Sequence, residues 1–339
     1  MGNNTADLTI VIPTYNKEKY ISETLDSVFS QRTKYSYNII VTDDCSTDST
    51  LAIVSLYQKK YPGKISVLES TENLKLYKNV IRAYKLLNSK YWCVLDPDDY
   101  WIDKEHIQKA LDFLESHKEF TIYGTDITVL KPSGIKENCS FSTKSRDSSW
   151  EDYLNGKAII PFTQSCVYRN VIFIRGLPKY LQNPVSDTQT RSFRGDSFRN
   201  AIHIQQGKAH YVPESHAVYR ITSEGIWQSM NELQQHLLNC AFYKDLWLYF
   251  DKNYPNLLLK SFLVYHKNIL PNLVSDLMSM PSDDKRINCL QELWDLQNIY
   301  QDNINLIREC LYKTLSVKKR LLYKIYKRLF RKFGFNGGL

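Results

Sequence analysis

Short apolar runs alternate with helical patterns through the first hundred residues, and this alternation restricts the fold more than any other feature of the sequence. The apolar runs are at residues 8–16, 37–44, 64–70 and 91–96. The helical patterns between them are at residues 17–31, 46–62 and 79–89. A regular succession of strand and helix is typical of an open parallel sheet. The sequence therefore predicts an α/β domain with a mostly parallel, Rossmann-like central sheet flanked by helices.

The rest of the chain differs in composition from this first part. We expect a further helix and strand between residues 103 and 130. Residues 131–150 are polar and contain Pro and Gly, which favours a long loop or a domain edge. Beyond about residue 231 the patterns are only helical. We therefore predict three regions: residues 1–130 and 131–230 as two halves of the α/β domain, and residues 231–339 as a helical C-terminal region.

Positive charge is concentrated at the C-terminal end. The formal net charge is +8, but nine of the 44 Lys and Arg residues follow Glu309 and no acidic residue does. The first 310 residues therefore carry 35 basic and 36 acidic side chains. A nucleic-acid-binding protein usually spreads positive charge over its folded body. We expect no nucleic-acid partner.

The cysteines and the apolar content restrict the cellular setting. Seven cysteines are scattered and never form a CxxC pair, which argues against a disulfide framework or a thiolate zinc site and favours a reducing compartment. No apolar run approaches 18 residues, and the N-terminus has neither a basic segment nor a small-residue cleavage site. We expect no membrane-spanning helix and no signal peptide.

The fourth apolar run leads into CVLDPDDYW, which places Asp96, Asp98 and Asp99 within four positions. Carboxylates this close repel one another, so in a pocket their pKa values rise or a cation binds. Mg²⁺ and Mn²⁺ prefer oxygen ligands and often complete their shell with substrate phosphates. An acidic turn is the alternative, because Asp-Pro-Asp-Asp is also good turn composition. Ligands of parallel sheets bind beyond the strand ends, which favours the functional interpretation.

A second acidic segment, TDDCSTDST at residues 42–50, follows the second apolar run. A carboxylate at a strand tip accepts hydrogen bonds from a nucleobase N–H or from a ribose hydroxyl. A plain helix N-terminus, with Ser46 or Asp48 as its cap, explains the same residues.

The segments TIVIPTYN, IIVTDDCSTDST and VLDPDDYW, at these spacings, resemble family 2 glycosyltransferases with the GT-A fold. The signature covers residues 8–115, and looser matches continue to residue 230. The combination is specific, although each segment alone is weak. The resemblance implies transfer of a sugar from a nucleotide diphosphate sugar to an acceptor hydroxyl, with inversion at the anomeric carbon and with Mn²⁺ or Mg²⁺ as cofactor. We expect a UDP-sugar donor and a hexosyl or N-acetylhexosaminyl group.

The resemblance implies a role for each residue of the signature. Nucleobase contacts are implied for Pro13, Thr14, Tyr15 and Asp44. Asp96 would face the ribose and Asp98 the metal, with Asp99 as the neighbour that takes the metal role instead. A divalent cation stabilises the charge that develops on a diphosphate leaving group. Residues 1–130 would then be the donor-binding half, and residues 131–230 the half that binds the acceptor and supplies the catalytic base.

Inversion requires a base that takes the proton of the acceptor hydroxyl. In the family this base is an acid at the start of a helix in the second half of the domain. The segment RGDSFRNAIHIQQGKAHYVPESHAVYR, residues 194–220, matches that pattern and makes Asp196 the candidate catalytic residue. A plain helix cap is the alternative for Asp196.

Two further segments contain candidate substrate contacts. In PFTQSCVYRN, Thr163 and Ser165 are candidate acceptor contacts, with polar groups buried in a strand as the alternative. VYRITSEGIWQS resembles a loop that closes over the donor, in which Arg220 would pair with phosphate and Trp227 would close the lid. Many relatives carry His two residues after the Arg, where this chain has Thr222. That difference removes the support for a contact from that position.

The C-terminal segment SVKKRLLYKIYKRLFRKFGF, about residues 316–335, has one apolar face and a largely basic remainder. Its apolar residues are Leu321, Leu322, Ile325, Tyr326, Leu329, Phe330 and Phe333. This pattern is typical of a helix lying in an anionic membrane surface. A helix that packs on the body of the protein and leaves its basic face in solvent is the alternative.

These observations predict a glycosyltransferase that is cytoplasmic and peripheral at the inner face of a bacterial cell membrane. Its acceptor would be a glycan or a lipid-linked glycan for a capsule, an O-antigen or a similar surface polysaccharide, and its helices are compatible with an oligomer. One alternative is a catalytically inactive, membrane-peripheral scaffold with the same fold. Another is a nucleotidyltransferase, although no Gly-rich phosphate loop follows the first strand.

Overall fold

The computed structural model describes residues 5–182, 195–222, 230–280 and 283–314. These residues belong to two compact units. The described part of the first unit is residues 5–182 and 195–222, and that of the second is residues 230–280 and 283–314. The predicted donor half, residues 1–130, and most of the predicted acceptor half, residues 131–230, lie in the first unit.

The described residues of the first unit form ten strands and seven helices. The strands are β1 (Leu8–Thr14), β2 (Tyr37–Asp43), β3 (Ile65–Leu68), β4 (Tyr91–Val94), β5 (Tyr100–Trp101), β6 (Phe120–Leu130), β7 (Lys136–Cys139), β8 (Arg146–Ser148), β9 (Val167–Arg169) and β10 (Lys208–Arg220). The helices are α1 (Ile21–Phe29), α2 (Thr50–Lys60), α3 (Lys75–Tyr84), α4 (His106–Ser116), α5 (Trp150–Leu154), α6 (Lys179–Gln182) and α7 (Gly195–Ile204). Two short 3₁₀ turns span Thr163–Ser165 and Phe173–Arg175.

All ten strands form one sheet, with the order β3-β2-β1-β4-β9-β6-β10-β5; β7 pairs with β6 and β8 with β10. The strands β3, β2, β1 and β4 are parallel, as the sequence predicts. Beyond β4 the sheet is mixed, because β9 is antiparallel to both of its neighbours while β6 and β10 are parallel to each other. The predicted parallel arrangement is therefore confined to the N-terminal strands and the β6–β10 pair.

The continuous apolar run of β1 places this strand in the interior of the sheet. All seven of its residues are buried, including Leu8, Ile10 and Ile12, which have no exposed surface. The helix α1 packs its buried face, with Leu25 and Val28, into the same core. Burial of each such side chain stabilises the fold by about 1.5–3 kcal/mol. This core fixes the strand ends from which the acidic residues project.

The interpretation of residues 131–150 as a long loop is wrong in part. β7 and β8 lie within this segment, at the margins of the sheet. Both strands are short, and most of their residues are exposed. A strand that buries neither face does not show the alternation of apolar and polar residues by which strands are recognised.

The second unit is helical, as the sequence predicts. Its helices are α8 (Glu232–Tyr249), α9 (Pro255–Val264), α10 (Leu273–Met278), α11 (Asp283–Asp302) and α12 (Ile304–Thr314), with a π-helical turn at Tyr265–Ile269. Asn231 and Gln234 form a capping box at the start of α8, which satisfies two N–H groups at that end. Within the described residues, no helix has both the length and the apolarity needed to cross a membrane. The predicted amphipathic segment at residues 316–335 lies outside the described residues.

Candidate active site

The ends of β1, β2 and β4 meet at one edge of the sheet. Because β1 lies between the other two and all three are parallel, their carboxyl ends point the same way. Thr14 is in register with Asp43, and the N–H of Asp44 donates to the carbonyl oxygen of Thr14 at 2.9 Å. The N–H of Leu95 donates to the carbonyl oxygen of Val11 at 3.0 Å. The structure thus brings the three signature segments together, as expected for a ligand site at this edge.

The predicted nucleobase cradle lies at the end of β1. Pro13 and Thr14 are buried, whereas 42% of Tyr15 is exposed. The hydroxyl of Thr14 is buried, and no described residue hydrogen-bonds to it. Asn16 has a left-handed backbone with φ of 50°, and its side chain accepts a hydrogen bond from the N–H of Thr47 at 2.8 Å. This contact links the loop after β1 to the loop after β2.

The two acids that follow β2 have different surroundings. Asp43 accepts hydrogen bonds from the N–H and the hydroxyl of Ser46, so its carboxylate closes a local turn. Asp44 is buried, and its Oδ1 accepts from the N–H of Leu74 at 2.7 Å. No described residue donates to its Oδ2. Asp44 therefore retains an acceptor at the strand edge, and its nucleobase role stays a prediction.

The loop between β4 and β5 carries the three clustered acids and is held from several sides. The hydroxyl of Thr24, on α1, lies 2.9 Å from the carbonyl oxygen of Pro97 and 2.8 Å from that of Asp99. The side chain of Asp98 forms an ion pair with Lys17, with 2.9 Å between Oδ2 and Nζ. Nε of Arg220 donates to the carbonyl oxygen of Asp98 at 3.0 Å. These contacts hold the backbone of the loop and orient the carboxylate of Asp98.

Both carboxylate oxygens of Asp99 accept hydrogen bonds from other residues of the protein. Asp99 is 1% exposed, its Oδ2 accepts from the side-chain amide of Gln164 at 2.5 Å, and its Oδ1 accepts from the N–H of Arg220 at 2.8 Å. Burial, together with the charges of Asp96 and Asp98, raises the pKa of Asp99 well above its usual value. Since both of its oxygens are engaged, the geometry favours Asp98 over Asp99 as a metal ligand.

Asp96 lies where several charges meet. Burial raises its pKa to about 6, and the negative charge of Asp98 adds to that effect. Arg199 opposes the shift, whereas the charge of Asp196 adds to it. The predicted base is therefore within electrostatic reach of the predicted ribose contact. A cation bound beside Asp98 would relieve this repulsion.

The donor set fits a metal that is shared with a substrate. Within the described ranges, no three His, Cys, Asp or Glu side chains are grouped so as to hold a metal ion by themselves. Mg²⁺, however, is usually bound by one or two carboxylates together with substrate phosphates. Asp98 is partly exposed at the strand edge and close to Asp96. Asp98, with substrate phosphates as the other ligands, fits such a shared site.

Asp196 lies in the first turn of α7 and is partly exposed. Its Oδ1 lies 2.6 Å from the N–H of Ser197. Three residues further along the helix, Arg199 is almost completely buried. Its two terminal nitrogens donate to the hydroxyls of Tyr84 and Thr163, each at 3.1 Å, while its Nε has no partner among the described residues. A buried cation thus lies beside the acids, and sequence reasoning missed it.

The two candidate acceptor contacts have structural partners. The hydroxyl of Thr163 is mostly buried and accepts the hydrogen bond from Arg199. Ser165 has no exposed surface, and its hydroxyl donates to the carbonyl oxygen of Thr125 at 2.7 Å. This position of Ser165 favours the alternative of a buried polar group. Both residues lie in a 3₁₀ turn and not in a strand.

Arg220 ends β10 and lies against the acidic loop. Its guanidinium pairs with Glu23 and lies over the rings of Tyr20 and Tyr100, at 5.0 and 5.5 Å from their centroids. These partners hold the positive charge beside Asp98. Trp227, the other residue predicted in this segment, lies outside the described residues.

The fold collects acids at the carboxyl ends of its parallel strands, where open α/β sheets bind their ligands. Residues 9–163 match the family model described as glycosyl transferase family 2, which bears out the predicted resemblance. The predicted GT-A fold is confirmed. The crystal structure of Staphylococcus aureus TarS residues 1–349 in complex with UDP-GlcNAc superimposes with a TM-score of 0.59 at 17% identity, covering 86% of this chain and 80% of that one.

Curated relatives match over part of their length. An uncharacterized Mycobacterium tuberculosis protein is 28% identical over 222 residues, which are 66% of this chain and 61% of that protein. The poly(ribitol-phosphate) β-N-acetylglucosaminyltransferase TarS of Staphylococcus aureus is 27% identical over 241 residues, which are 68% of this chain and 40% of that protein. The chain thus matches less than two thirds of each of these relatives.

Proposed function

We propose that the protein is an inverting, divalent-metal-dependent glycosyltransferase that moves a sugar from a UDP-sugar to a hydroxyl of a cell-surface glycan. One observation carries this proposal: Asp44, Asp96 and Asp98 project from one edge of the sheet, and Asp196 lies within electrostatic reach of Asp96. Nucleotide contacts, a metal ligand and a general base are the groups that such a transfer needs.

The donor is held by the strand ends. Tyr15 and Asp44 contact the base, and Asp96 accepts hydrogen bonds from the ribose hydroxyls. Asp98 would hold a Mn²⁺ or Mg²⁺ ion together with the diphosphate. When bound, this ion stabilises the negative charge that the diphosphate gains as the glycosidic bond breaks.

Asp196 takes the proton of the acceptor hydroxyl on the face of the sugar opposite to the leaving diphosphate. The positive charge of Arg199 lies within electrostatic reach of Asp196. Asp196 also lies in the first turn of α7, the end of a helix at which the dipole attracts negative charge. Asp196 is partly exposed, so an acceptor has access to it.

The choice of donor and acceptor rests on the relatives. TarS is named as an N-acetylglucosaminyltransferase acting on poly(ribitol-phosphate), and the matching structure of its first 349 residues contains UDP-GlcNAc. We therefore infer a hexosyl or N-acetylhexosaminyl donor and a hydroxyl-rich surface glycan as acceptor. The basic segment at residues 316–335 would hold the enzyme at the inner, anionic surface of the membrane, where lipid-linked acceptors are found.

Calorimetric titration of UDP, GDP and CDP, with and without Mn²⁺, tests the proposal. The wild type should bind UDP more tightly than the other two nucleotides, and binding should need Mn²⁺. Asp98→Ala should lose the Mn²⁺-dependent part of the affinity. Asp302→Ala, which removes an exposed acid of the second unit, is the matched control and should bind as the wild type does. The proposal fails if no nucleotide binds, or if Asp98→Ala binds UDP with unchanged Mn²⁺ dependence.

A further inference from the structure

Lys17 forms the ion pair with the carboxylate that the proposed function assigns to the metal. Its Nζ lies 2.9 Å from Oδ2 of Asp98, and the two side chains are only 16% and 17% exposed. Lys17 follows β1 in the chain, and its N–H donates to the hydroxyl of Thr50 at 2.7 Å. Its carbonyl oxygen accepts from the N–H groups of Tyr20 and Ile21, both at 3.0 Å. The backbone of Lys17 is therefore fixed, and the side chain is directed at Asp98.

An ammonium and a divalent ion on the same carboxylate repel each other. A bound Mg²⁺ would lie about 2.1 Å from its carboxylate oxygen. An ammonium 2.9 Å from that oxygen would then be within roughly 5 Å of the metal. Even when Asp96 and Asp98 are both ionised, their two negative charges do not compensate for three positive ones. Either the ammonium moves or additional negative charge must arrive with the metal.

The other nearby cations are held more firmly than Lys17. Arg220 is fixed by Glu23, by the carbonyl oxygen of Asp98 and by two aromatic rings. Arg199 is buried and donates to two hydroxyls. Within the described residues, Asp98 is the one carboxylate that Lys17 pairs with. A lysine ammonium is a point charge on a flexible four-carbon stem, so it can change partners without a backbone movement.

We propose that Lys17 is a built-in counter-ion of Asp98 that competes with the free divalent metal and moves to the diphosphate when the metal and the donor bind together. This proposal depends on the proposed function, because it requires a diphosphate at the strand edge. It assigns two opposite effects to one side chain. Lys17 lowers the affinity for the metal alone, and it raises the affinity for the complex of metal and nucleoside diphosphate.

Two binding constants, measured on the full chain, separate these effects. The first is the affinity for Mn²⁺ without nucleotide, followed by electron paramagnetic resonance of the free ion. The second is the affinity for UDP at saturating Mn²⁺, measured by calorimetry. Lys17→Met keeps the length of the side chain and removes its charge. Lys19→Met, two residues away and exposed, is the matched control.

Lys17→Met should bind Mn²⁺ alone about tenfold more tightly than the wild type, which corresponds to about 1.4 kcal/mol of binding free energy. The same variant should bind UDP in the presence of Mn²⁺ about tenfold more weakly. Lys17→Arg, which keeps the charge, should retain the low affinity for Mn²⁺ alone. Lys19→Met should change neither constant. Thermal unfolding of each variant shows whether it is folded.

Unchanged or weaker binding of Mn²⁺ to Lys17→Met would overturn the proposal, because the ion pair would then be a permanent support of the loop. If the wild type binds UDP with Mn²⁺ while Lys17→Met changes neither constant, the proposed function stands and this inference alone fails. If the wild type binds no nucleoside diphosphate, both fail.

Discussion

A buried pair of histidines predicts how the stability of the first unit depends on pH. His106 has no exposed surface, and its Nδ1 lies 3.2 Å from Nδ1 of His216. The Nε2 of His106 is buried and has no partner among the described residues. The carbonyl oxygen of His216 accepts from the N–H of Ile102 at 2.9 Å, just after the acidic loop and β5. The pair thus supports the segment that carries the predicted donor contacts.

Burial, together with the neighbouring His216, lowers the pKa of His106 to about 3. Two carboxylates and one ammonium surround the pair: Asp103, Glu214 and Lys109. In the unfolded chain, the histidine has its unperturbed pKa of about 6.5. Its stabilising contribution is complete above pH 6.5 and is lost as the pH falls from 6.5 towards 3. Linkage then predicts a loss of about 2 kcal/mol in the free energy of unfolding between pH 7.5 and pH 5 from His106 alone.

The variant His106→Asn keeps a polar atom near the position of Nδ1 and removes the titration. Urea unfolding, followed by tryptophan fluorescence at pH 7.5, 6 and 5, measures the free energy of unfolding. The variant should be less stable at pH 7.5, because a smaller side chain leaves a cavity. Its loss of stability between pH 7.5 and pH 5 should be about 2 kcal/mol smaller than that of the wild type.

The exposed His117 provides a matched control, since His117→Asn should leave this pH dependence as in the wild type. Equal pH dependence in His106→Asn and in the wild type would refute the reasoning. The acid sensitivity of the fold would then arise from other groups.

Three further predictions concern the proposed activity. Asp196→Asn should bind UDP and Mn²⁺ as the wild type does. It should transfer sugar about 10²- to 10⁴-fold more slowly in a radiolabelled-sugar assay, which is the usual contribution of a general base. Loss of binding would remove Asp196 from that role. Asp44→Ala should weaken UDP binding roughly tenfold, as expected for the loss of one hydrogen bond to a charged group. The affinity for pyrophosphate should not change. An equal loss of affinity for both ligands would exclude a nucleobase contact. Removal of residues 316–339 should release the protein from anionic vesicles in a sedimentation assay, and unchanged sedimentation would refute the membrane role of this segment.

The strands β1, β2, β3 and β4 could be predicted because each is an apolar run that ends in acids or Pro. The helix α3 was predicted less well, since the sequence indicates residues 79–89 and the structure has Lys75–Tyr84. Its first turn contributes no buried side chain, and Leu76 there is 44% exposed. An exposed turn carries no apolar periodicity, so the pattern begins only where the helix meets the sheet.

The acids of the candidate site could also be predicted from the sequence, because residues at the ends of neighbouring parallel strands must lie at one edge of the sheet. The cations beside them, Lys17 and Arg199, could not be predicted. Lys17 and Asp98 are 81 positions apart, and no local pattern connects an ion pair between two loops. Arg199 lies three residues after Asp196, and its burial depends on Tyr84, 115 positions away in the sequence. Sequence patterns show which face of a single element is buried, but they do not show which distant partner compensates a charge.

The turn at Thr163–Ser165 links the acidic loop to the helix that carries Asp196. The side-chain amide of Gln164 holds Asp99 in the acidic loop, and the hydroxyl of the preceding Thr163 accepts from Arg199 on that helix. The carbonyl oxygen of Gln164 also accepts from the indole N–H of Trp101 at 2.7 Å. Two adjacent residues therefore connect the segment with the predicted metal ligand to the helix with the predicted base. Because the side chain of Thr163 is buried and bound to Arg199, we expect it to position Arg199 and not to contact an acceptor.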